Sequence, residues 1–241
     1  MKKSHICLGL SLVIGAGSFA LPMFPACPLN DLLNWGLISA ILAILIIVSF
    51  FFEFETAATS SKEVALVSML GTMSAVLRIP FAAIPGLQPC TFLIICSGYV
   101  FGPIAGFMVG ALTPLISNFF LGHGPWTPYQ MFAWGLAGVS AAYIRRIHPN
   151  RIGLMLFGML WGYLYGWIIN IWFWASLVYP LTLTTFVVTQ LTSLWFDTSH
   201  AIGNTIFLGL FGMKTIAILE RFSKRFGWVP LSAKVAHGGK A

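Results

Sequence analysis

Charged side chains are scarce in this sequence: Asp, Glu, Lys and Arg make up 8% of its 241 residues, while 58% are hydrophobic. Because soluble domains carry about 25% charged residues, this composition excludes an ordinary soluble protein. The net charge of +7 does not indicate nucleic-acid binding, since the basic residues stand in short clusters between apolar runs, as in membrane proteins. The sequence therefore predicts an all-α integral membrane protein that binds no nucleic acid.

Cysteines and catalytic motifs are also few. Cys7, Cys27, Cys90 and Cys96 show no metal-ligand spacing, and we expect them to be apolar filler; the alternative is a Cys27–Cys90 disulfide on the outer side. The sequence has no nucleophile elbow, no HExxH motif, no phosphate-cradling loop and no DDxxD-like acidic pair. We therefore expect no enzymatic activity, no metal site and no cofactor.

Two hydrophobic segments at residues 1–61 precede the main body. An apolar run at about 6–21 follows Lys2 and Lys3, and it is either a signal peptide, with a small-residue cleavage site ending at Ala20, or a short first span. A second span is predicted at about 35–54. At the other end of the chain, residues 226–241 are expected to form a cytoplasmic tail.

Residues 62–225 are predicted to form a core of six transmembrane helices. We expect helices at about 64–79 and 91–101, a pair flanking the turn at 122–128 and ending near 144, a fifth at 152–174, and a sixth ending near 222. Residues 175–198 are interpreted as an outer loop that merges into the sixth helix. A span needs about 20 residues, so this last segment requires a kink, a re-entrant piece or an interfacial extension.

The basic clusters favour one orientation. Placing Arg145, Arg146 and Arg151 inside puts both ends of the six-helix core inside, together with Lys62 and the basic C-terminal cluster. The loops at 80–89, 122–128 and 175–198 then face outside, and they are almost free of charge. We therefore predict a multi-pass protein of the plasma membrane with a cytoplasmic C-terminus.

Small residues recur every four positions on three of the predicted helices. The series are Gly102, Gly106 and Gly110; Gly158, Gly162 and Gly166; and the pair Gly71 and Ala75. Residues this small allow helices in lipid to approach to backbone contact. The glycine series are expected either to pack the core or to form a docking face.

Two charges stand alone in long apolar stretches, Arg78 and Asp197. An ionisable group at membrane depth normally pairs with another group or binds a ligand, so the alternatives are an Arg78–Asp197 pair, snorkelling of Arg78, or a ligand site. Asp197, His200 and Asn204 share one helix face and form either a buried polar site or a helix-packing network. A metal site that includes His123 has no supporting spacing.

Aromatic and amide side chains cluster near the predicted outer loops. Many of the aromatics fit a membrane-interface belt, but the surplus also suits stacking against an organic ligand with scattered polar groups. The predicted ligand-binding residues are Arg78, Gln88, Asn118, His123, Trp126, Tyr129, Gln130, Asn170, Trp174, Asp197, His200 and Asn204.

Three motifs in the core resemble a known family. They are GHGPWTPYQM at 122–131, FGP at 101–103, and FDTSHAIGN at 196–204. Together they are similar to the substrate-binding (S) components of energy-coupling factor (ECF) vitamin transporters of prokaryotes. The resemblance covers about 64–222 and does not explain the two N-terminal segments.

The resemblance implies a mechanism and partners. Such subunits bind a vitamin between their outer loops and dock on a transmembrane coupling (T) protein that carries two ATPase subunits, which drive release inside. Docking in the family uses small residues on the first core helix, a position that Gly71 and Ala75 hold here. A cobalamin-like substrate is the first choice; a queuosine precursor or another heterocycle stays open.

Two other functions are alternatives to this hypothesis. A membrane-embedded enzyme acting on a lipid or prenyl substrate would depend on Asp197, His200 and His123. A stand-alone channel or secondary carrier is the other alternative, although the paired broken helices typical of carriers are not visible in the sequence.

Overall fold

The structure, a computed structural model, describes residues 3–20, 34–56, 61–225 and 227–228. These residues form ten α-helices: α1 (Lys3–Ala20), α2 (Trp35–Thr56), α3 (Ser61–Phe81), α4 (Cys90–Phe101), α5 (Pro103–Leu121), α6 (Thr127–Ile144), α7 (Arg151–Leu177), α8 (Leu183–Thr192), α9 (Leu194–Phe207) and α10 (Met213–Arg225). A 3₁₀ turn at Arg145–Ile147 follows α6, and a π-helical turn at Leu208–Gly212 joins α9 to α10.

The central element of the bundle is α4, because every one of its residues except Phe92 is buried. Its 12 residues extend about 18 Å at 1.5 Å per residue, which is less than the roughly 30 Å of a bilayer core. The surrounding helices α3, α5, α6 and α10 enclose it. Its run of Leu, Ile, Val and Cys is therefore core sequence rather than lipid-facing sequence.

Four segments within the described residues are long and apolar enough to cross a membrane: Ser61–Phe81, Pro103–Leu121, Arg151–Leu177 and Leu194–Arg225. Together with α4 and α6 they make up the expected six-segment core. The prediction of an all-α membrane protein is confirmed. The observed boundaries of α3, α4 and α6 lie within about three residues of those predicted.

Backbone contact between helices accounts for the glycine series on α5. A Cβ atom added to Gly106 would lie 2.7 Å from the Gly138 carbonyl oxygen of α6, and one added to Gly110 would overlap the backbone at Trp134. Gly102 has a different role, since it precedes α5 with a φ of 93°, which a residue with a side chain rarely adopts.

The glycine series on α7 packs closely against α9 and the π-helical turn that follows it. Added Cβ atoms would overlap Leu208 at Gly158, the Ala201 backbone at Gly162, and the carboxylate of Asp197 at Gly166. Both glycine series therefore pack the core. Gly166 also allows Asp197 to lie against the backbone of α7.

The two N-terminal helices pair with each other and attach to the core. The Ser4 hydroxyl donates to the Glu53 carboxylate, and the Lys3 ammonium lies 5.4 Å from the centroid of the Phe52 ring. Phe50 of α2 stacks on Phe107 of α5 with ring centroids 3.9 Å apart. Residues 21–33, which include Cys27, lie outside the described residues, and Cys90 is a free, buried thiol.

The interpretation of 175–198 as a loop that merges into the sixth helix is wrong for most of its length, since only residues 178–182 and Ser193 are non-helical there. Helix α7 continues to Leu177, α8 occupies Leu183–Thr192, and α9 begins at Leu194. Thr182 caps α8 in a reciprocal capping box with Thr185, so the threonines that suggested a loop begin a helix instead. The break at Ser193 and the π-helical turn are the interruptions that the long last segment required.

Candidate functional site

A cavity of about 250 Å³ lies where α7, α9 and the α3–α4 loop meet. The residues that line it are Gly86, Gln88, Tyr165, Gly166, Ile169, Asn170, Ser193, Phe196, Asp197 and His200. The lining combines one carboxylate, one imidazole, two amides, two hydroxyls and a phenyl ring. Such a mixture of apolar walls and a few convergent polar groups is typical of sites for small organic ligands.

The α3–α4 loop reaches the cavity through Gly86. This residue has a φ of 78°, and a Cβ atom there would lie 2.7 Å from the Cβ atom of Ser199. Only glycine suits this conformation and this approach. The loop is thus pressed onto the first turn of α9, and it carries Gln88 into the cavity wall.

Asp197 supplies the negative charge of the cavity. Its side chain is 4% exposed, and its Oδ2 atom accepts a hydrogen bond of 2.8 Å from the Ser193 hydroxyl. No hydrogen bond to Oδ1 is formed within the described part of the chain. The carboxylate therefore has an open acceptor for a ligand N–H or O–H group.

Amide groups from α7 and α8 continue the polar wall. The Asn170 Nδ2 group donates to the Gln190 Oε1 atom at 2.9 Å and to the Ser193 hydroxyl at 2.7 Å. The buried Gln190 Nε2 atom has no hydrogen-bond partner among the described residues. Gln190 does not line the cavity, and its bond to Asn170 supports the wall from behind.

His200 is held by residues at the centre of the bundle. The indole Nε1 of Trp134 donates to the Thr91 hydroxyl oxygen at 2.9 Å, and this hydroxyl lies 2.8 Å from His200 Nε2. The Tyr165 ring meets the His200 ring edge-on, with centroids 5.0 Å apart. These contacts fix the orientation of the imidazole at the cavity wall.

Arg78 lies behind this wall with neutral partners. Its Nη1 donates to the Ser117 hydroxyl at 2.7 Å and to Asn118 Oδ1 at 2.6 Å, while its Nε donates to Gln88 Oε1 at 3.2 Å. The guanidinium carbon also lies 4.9 Å from the centroid of the Trp134 ring.

The proposed Arg78–Asp197 pair is not formed, since Arg78 bonds to amides and a hydroxyl and Asp197 to Ser193. Snorkelling is excluded as well, because Arg78 is 7% exposed. Among the described residues, Arg78 has no carboxylate partner. It is a buried cation whose charge is offset only by dipoles and an aromatic face.

The motif at 122–131 supplies the partners of this cation. Gly122 ends α5 with a φ of 97°, and the turn places Thr127 and Gln130 on the first turn of α6. There, Asn118 Nδ2 donates to Thr127 Oγ1 at 3.1 Å and to Gln130 Oε1 at 2.8 Å. These two bonds orient the amide so that its oxygen faces Arg78.

The other predicted residues of this motif lie away from the cavity wall. His123 is exposed and packs edge-on against Phe119, with centroids 4.9 Å apart. Trp126 meets Trp172 of α7, with ring centroids 5.6 Å apart, so this pair joins the α5–α6 loop to α7. Tyr129 is 3% exposed, in the interior of the bundle.

Two further predicted residues join helices. The indole Nε1 of Trp174 donates to Thr185 at 3.0 Å, which ties α7 to α8. Asn204 donates to the Gly158 carbonyl oxygen at 3.0 Å and ties α9 to α7. The three polar residues on one face of α9 therefore have different roles: Asp197 and His200 lie at the cavity, whereas Asn204 joins α9 to α7.

Gly71 and Ala75 are both buried between α3 and its neighbours. Ala75 is 0% exposed, and a Cβ atom on Gly71 would lie 2.9 Å from the Cβ atom of Leu112. Their small size therefore serves packing against α5. The structure does not present these two residues on an exposed docking face.

Several residues of the site were missed by sequence reasoning. They are Thr91, Ser117, Trp134, Tyr165 and Ser193, which hold or line the predicted residues. The sequence carries a weak signal for two of them: Thr91 directly follows the loop, and Trp134 is a large side chain among alanines and glycines. In the described residues, no group of three His, Cys, Asp or Glu side chains could hold a metal ion.

Fold and site together define a helical membrane protein with a polar, aromatic-walled cavity near one end. A family model described as "ECF transporter, substrate-specific component" matches residues 62–213, well over half of the chain. The protein therefore belongs to this family, which is a transporter component and not an enzyme. No curated protein and no solved structure matches the chain. The family assignment made from the sequence motifs is confirmed.

Proposed function

We propose that this chain captures a vitamin-class organic micronutrient in the cavity beside Asp197 and His200 and delivers it to an ECF importer. The observation that carries the proposal is the convergence of a carboxylate with an open acceptor, a fixed imidazole and two amide side chains, Gln88 and Asn170, in one cavity. A ligand with both donors and acceptors on a flat ring system would use all three groups.

The cavity volume bears on the size of the ligand. A volume of about 250 Å³ lies just below the range of roughly 300–1,000 Å³ that ligand pockets occupy. One heterocyclic ring system fits it without movement, which favours the smaller alternatives such as a queuosine precursor. A cobalamin-like ligand, the first choice from the sequence, is larger than this cavity and requires α7, α9 and the α3–α4 loop around it to move apart.

The partners follow from the family assignment. We propose that the chain docks on a transmembrane coupling protein with two ATPase subunits, and that ATP hydrolysis drives release. We further propose that the cavity end faces outward and the basic end inward in the plasma membrane of a prokaryote. The distribution of Arg145, Arg146 and Lys62 supports this orientation.

Mass spectrometry of the detergent-purified chain tests the proposal directly. The protein is denatured, and the released small molecules are compared with those from an Asp197→Leu variant purified in parallel. We expect a heterocyclic micronutrient that is present with the wild type and depleted from the variant. An empty wild-type protein that also binds no member of a vitamin panel would contradict the proposal.

A further inference from the structure

We propose that the opposite end of the bundle holds a second site, which binds the phosphate group of an anionic phospholipid. A cavity of about 410 Å³ lies there between the ends of α4, α5 and α6. Thr91 at the other end of α4 contacts His200, whereas Tyr99 of the same helix lines this cavity. The eight-residue step from Thr91 to Tyr99 separates the two cavities by about 12 Å along the helix.

Three basic side chains line the second cavity: Arg145, Arg146 and His148. Arg145 is held in place, because its Nη1 donates to the Val100 carbonyl oxygen at 3.1 Å and its Nη2 lies 3.9 Å from Glu220. Within the described residues, Glu220 is the one carboxylate paired with these side chains, and it offsets Arg145 but not Arg146. The cavity therefore keeps an excess of positive charge.

Arg146 has guanidinium N–H donors that are free to bind a ligand. Its guanidinium carbon lies 5.2 Å from the centroid of the Tyr143 ring, and it has no hydrogen-bond or ion-pair partner among the described residues. A guanidinium group stacked in this way presents its N–H groups as a fork, which matches the geometry of phosphate oxygens. The side chain is thus oriented but unpaired.

The backbone adds to the positive potential of the same wall. His148 has a φ of 44° and ends the 3₁₀ turn, so the turn brings Arg145, Arg146 and His148 to one side. Gly102, at the start of α5, provides no side-chain cap for the helix. The first amide groups of a helix favour nearby negative charge. They therefore add to the positive potential that the basic side chains create in the cavity.

The surroundings of the cavity point to a lipid rather than to a free anion. Large apolar side chains flank the basic residues on the exposed surface of the bundle: Tyr143 is 53% exposed, Ile147 is 74% exposed and Ile152 is 63% exposed. In a membrane protein, such residues contact acyl chains and interfacial groups. A phosphate in the cavity that is tethered to acyl chains on this surface uses both features, as basic pockets near lipid do.

The test uses the full-length protein, delipidated in a neutral detergent. Phosphatidylglycerol, phosphatidylcholine and inorganic phosphate are titrated separately, and the bound lipid or phosphate is counted by native mass spectrometry. We expect saturable binding of phosphatidylglycerol and at least tenfold weaker binding of the other two. Arg146→Gln should weaken phosphatidylglycerol binding about tenfold, the loss expected for one charge-assisted interaction.

Arg151→Gln is the matched control, because Arg151 lies at the same end of the bundle but does not line the cavity. It should leave the affinity unchanged. His148→Asn is a second variant that keeps the test decisive if Arg146→Gln does not fold, because asparagine tolerates the positive φ at this position. It should also weaken phosphatidylglycerol binding. Equal losses in the variants and the control would overturn the proposal, and binding of inorganic phosphate without phosphatidylglycerol would overturn the lipid assignment.

Discussion

Replacing Asp197 by asparagine separates the charge of the candidate substrate site from its shape. Asparagine has nearly the same volume, and its carbonyl oxygen can still accept the hydrogen bond from Ser193. With that oxygen on Ser193, asparagine presents its NH2 group where the open Oδ1 atom of the carboxylate stood, so a ligand donor loses its acceptor altogether. A hydrogen bond to a charged acceptor contributes roughly 1.5–3 kcal/mol, and its loss corresponds to a rise in Kd of about 10- to 150-fold.

The same change should stabilise the empty protein. The Asp197 carboxylate is 4% exposed and has no cation partner among the described residues, and an unpaired buried charge is unfavourable. We expect Asp197→Asn to raise the unfolding free energy by about 1 kcal/mol. A thiol-reactive dye reports unfolding, because Cys90 and Cys96 are both 0% exposed in the folded chain.

Isothermal titration with the micronutrient identified by mass spectrometry supplies the affinities. Glu220→Gln is the control: it is the same chemical change on an exposed carboxylate at the far end of the bundle, and its Kd should equal that of the wild type. Equal affinities for the wild type and Asp197→Asn would refute the assignment of this cavity as the substrate site.

Two predictions concern the core that positions the site. Gly138→Ala inserts a methyl group against the Gly106 carbonyl and should lower the unfolding free energy by about 1–3 kcal/mol. The control Gly209→Ala meets only a flexible methionine side chain and should change the unfolding free energy far less. Thermal unfolding compares the two variants, and equal losses of stability would contradict the backbone contact at Gly138. Trp134→Phe removes the indole donor to Thr91 and should cost about 1 kcal/mol in the same assay, and an unchanged unfolding temperature would argue against the hydrogen bond to Thr91.

Periodicity and composition predicted the helices well where turn chemistry was clear. The Pro and Gly residues at 80–89 and 122–128 marked the ends of α3, α5 and α6 within a few residues, since proline and glycine act locally. The region at 175–198 failed because threonine and aromatic residues suit both an outer loop and a short capped helix. Thr182 decides between them through a contact with Thr185, a feature that composition does not reveal.

The candidate site was only partly predictable for a related reason. A charge isolated in an apolar stretch, such as Arg78 or Asp197, is visible in the sequence because its burial is unfavourable. Which group offsets the charge depends on the tertiary fold. Asn118 lies 40 residues from Arg78 along the chain, and one helix face divides between the cavity at Asp197 and helix packing at Asn204.

The burial of Gly71 changes how docking on the coupling protein must be tested. A leucine at this position would overlap Leu112 and disturb the bundle itself, so loss of transport would not distinguish docking from misfolding. The exposed face of α3 instead presents Met69, Met73 and Val76, which are 51%, 49% and 56% exposed. If docking uses α3, added bulk on this face should block transport and leave substrate binding and folding intact.

Met73→Trp is the informative variant for this test, and Ile202→Trp is its control, since Ile202 is 55% exposed on α9. Both changes place an indole on a surface that faces lipid in the isolated subunit, so substrate binding should persist in each. Uptake is measured in liposomes that contain the coupling protein, the ATPases and ATP. Loss of uptake with Met73→Trp alone supports docking through α3, because lipid adapts to the added ring and a close-fitting protein partner does not. Equal uptake in both variants would place the docking face on another helix.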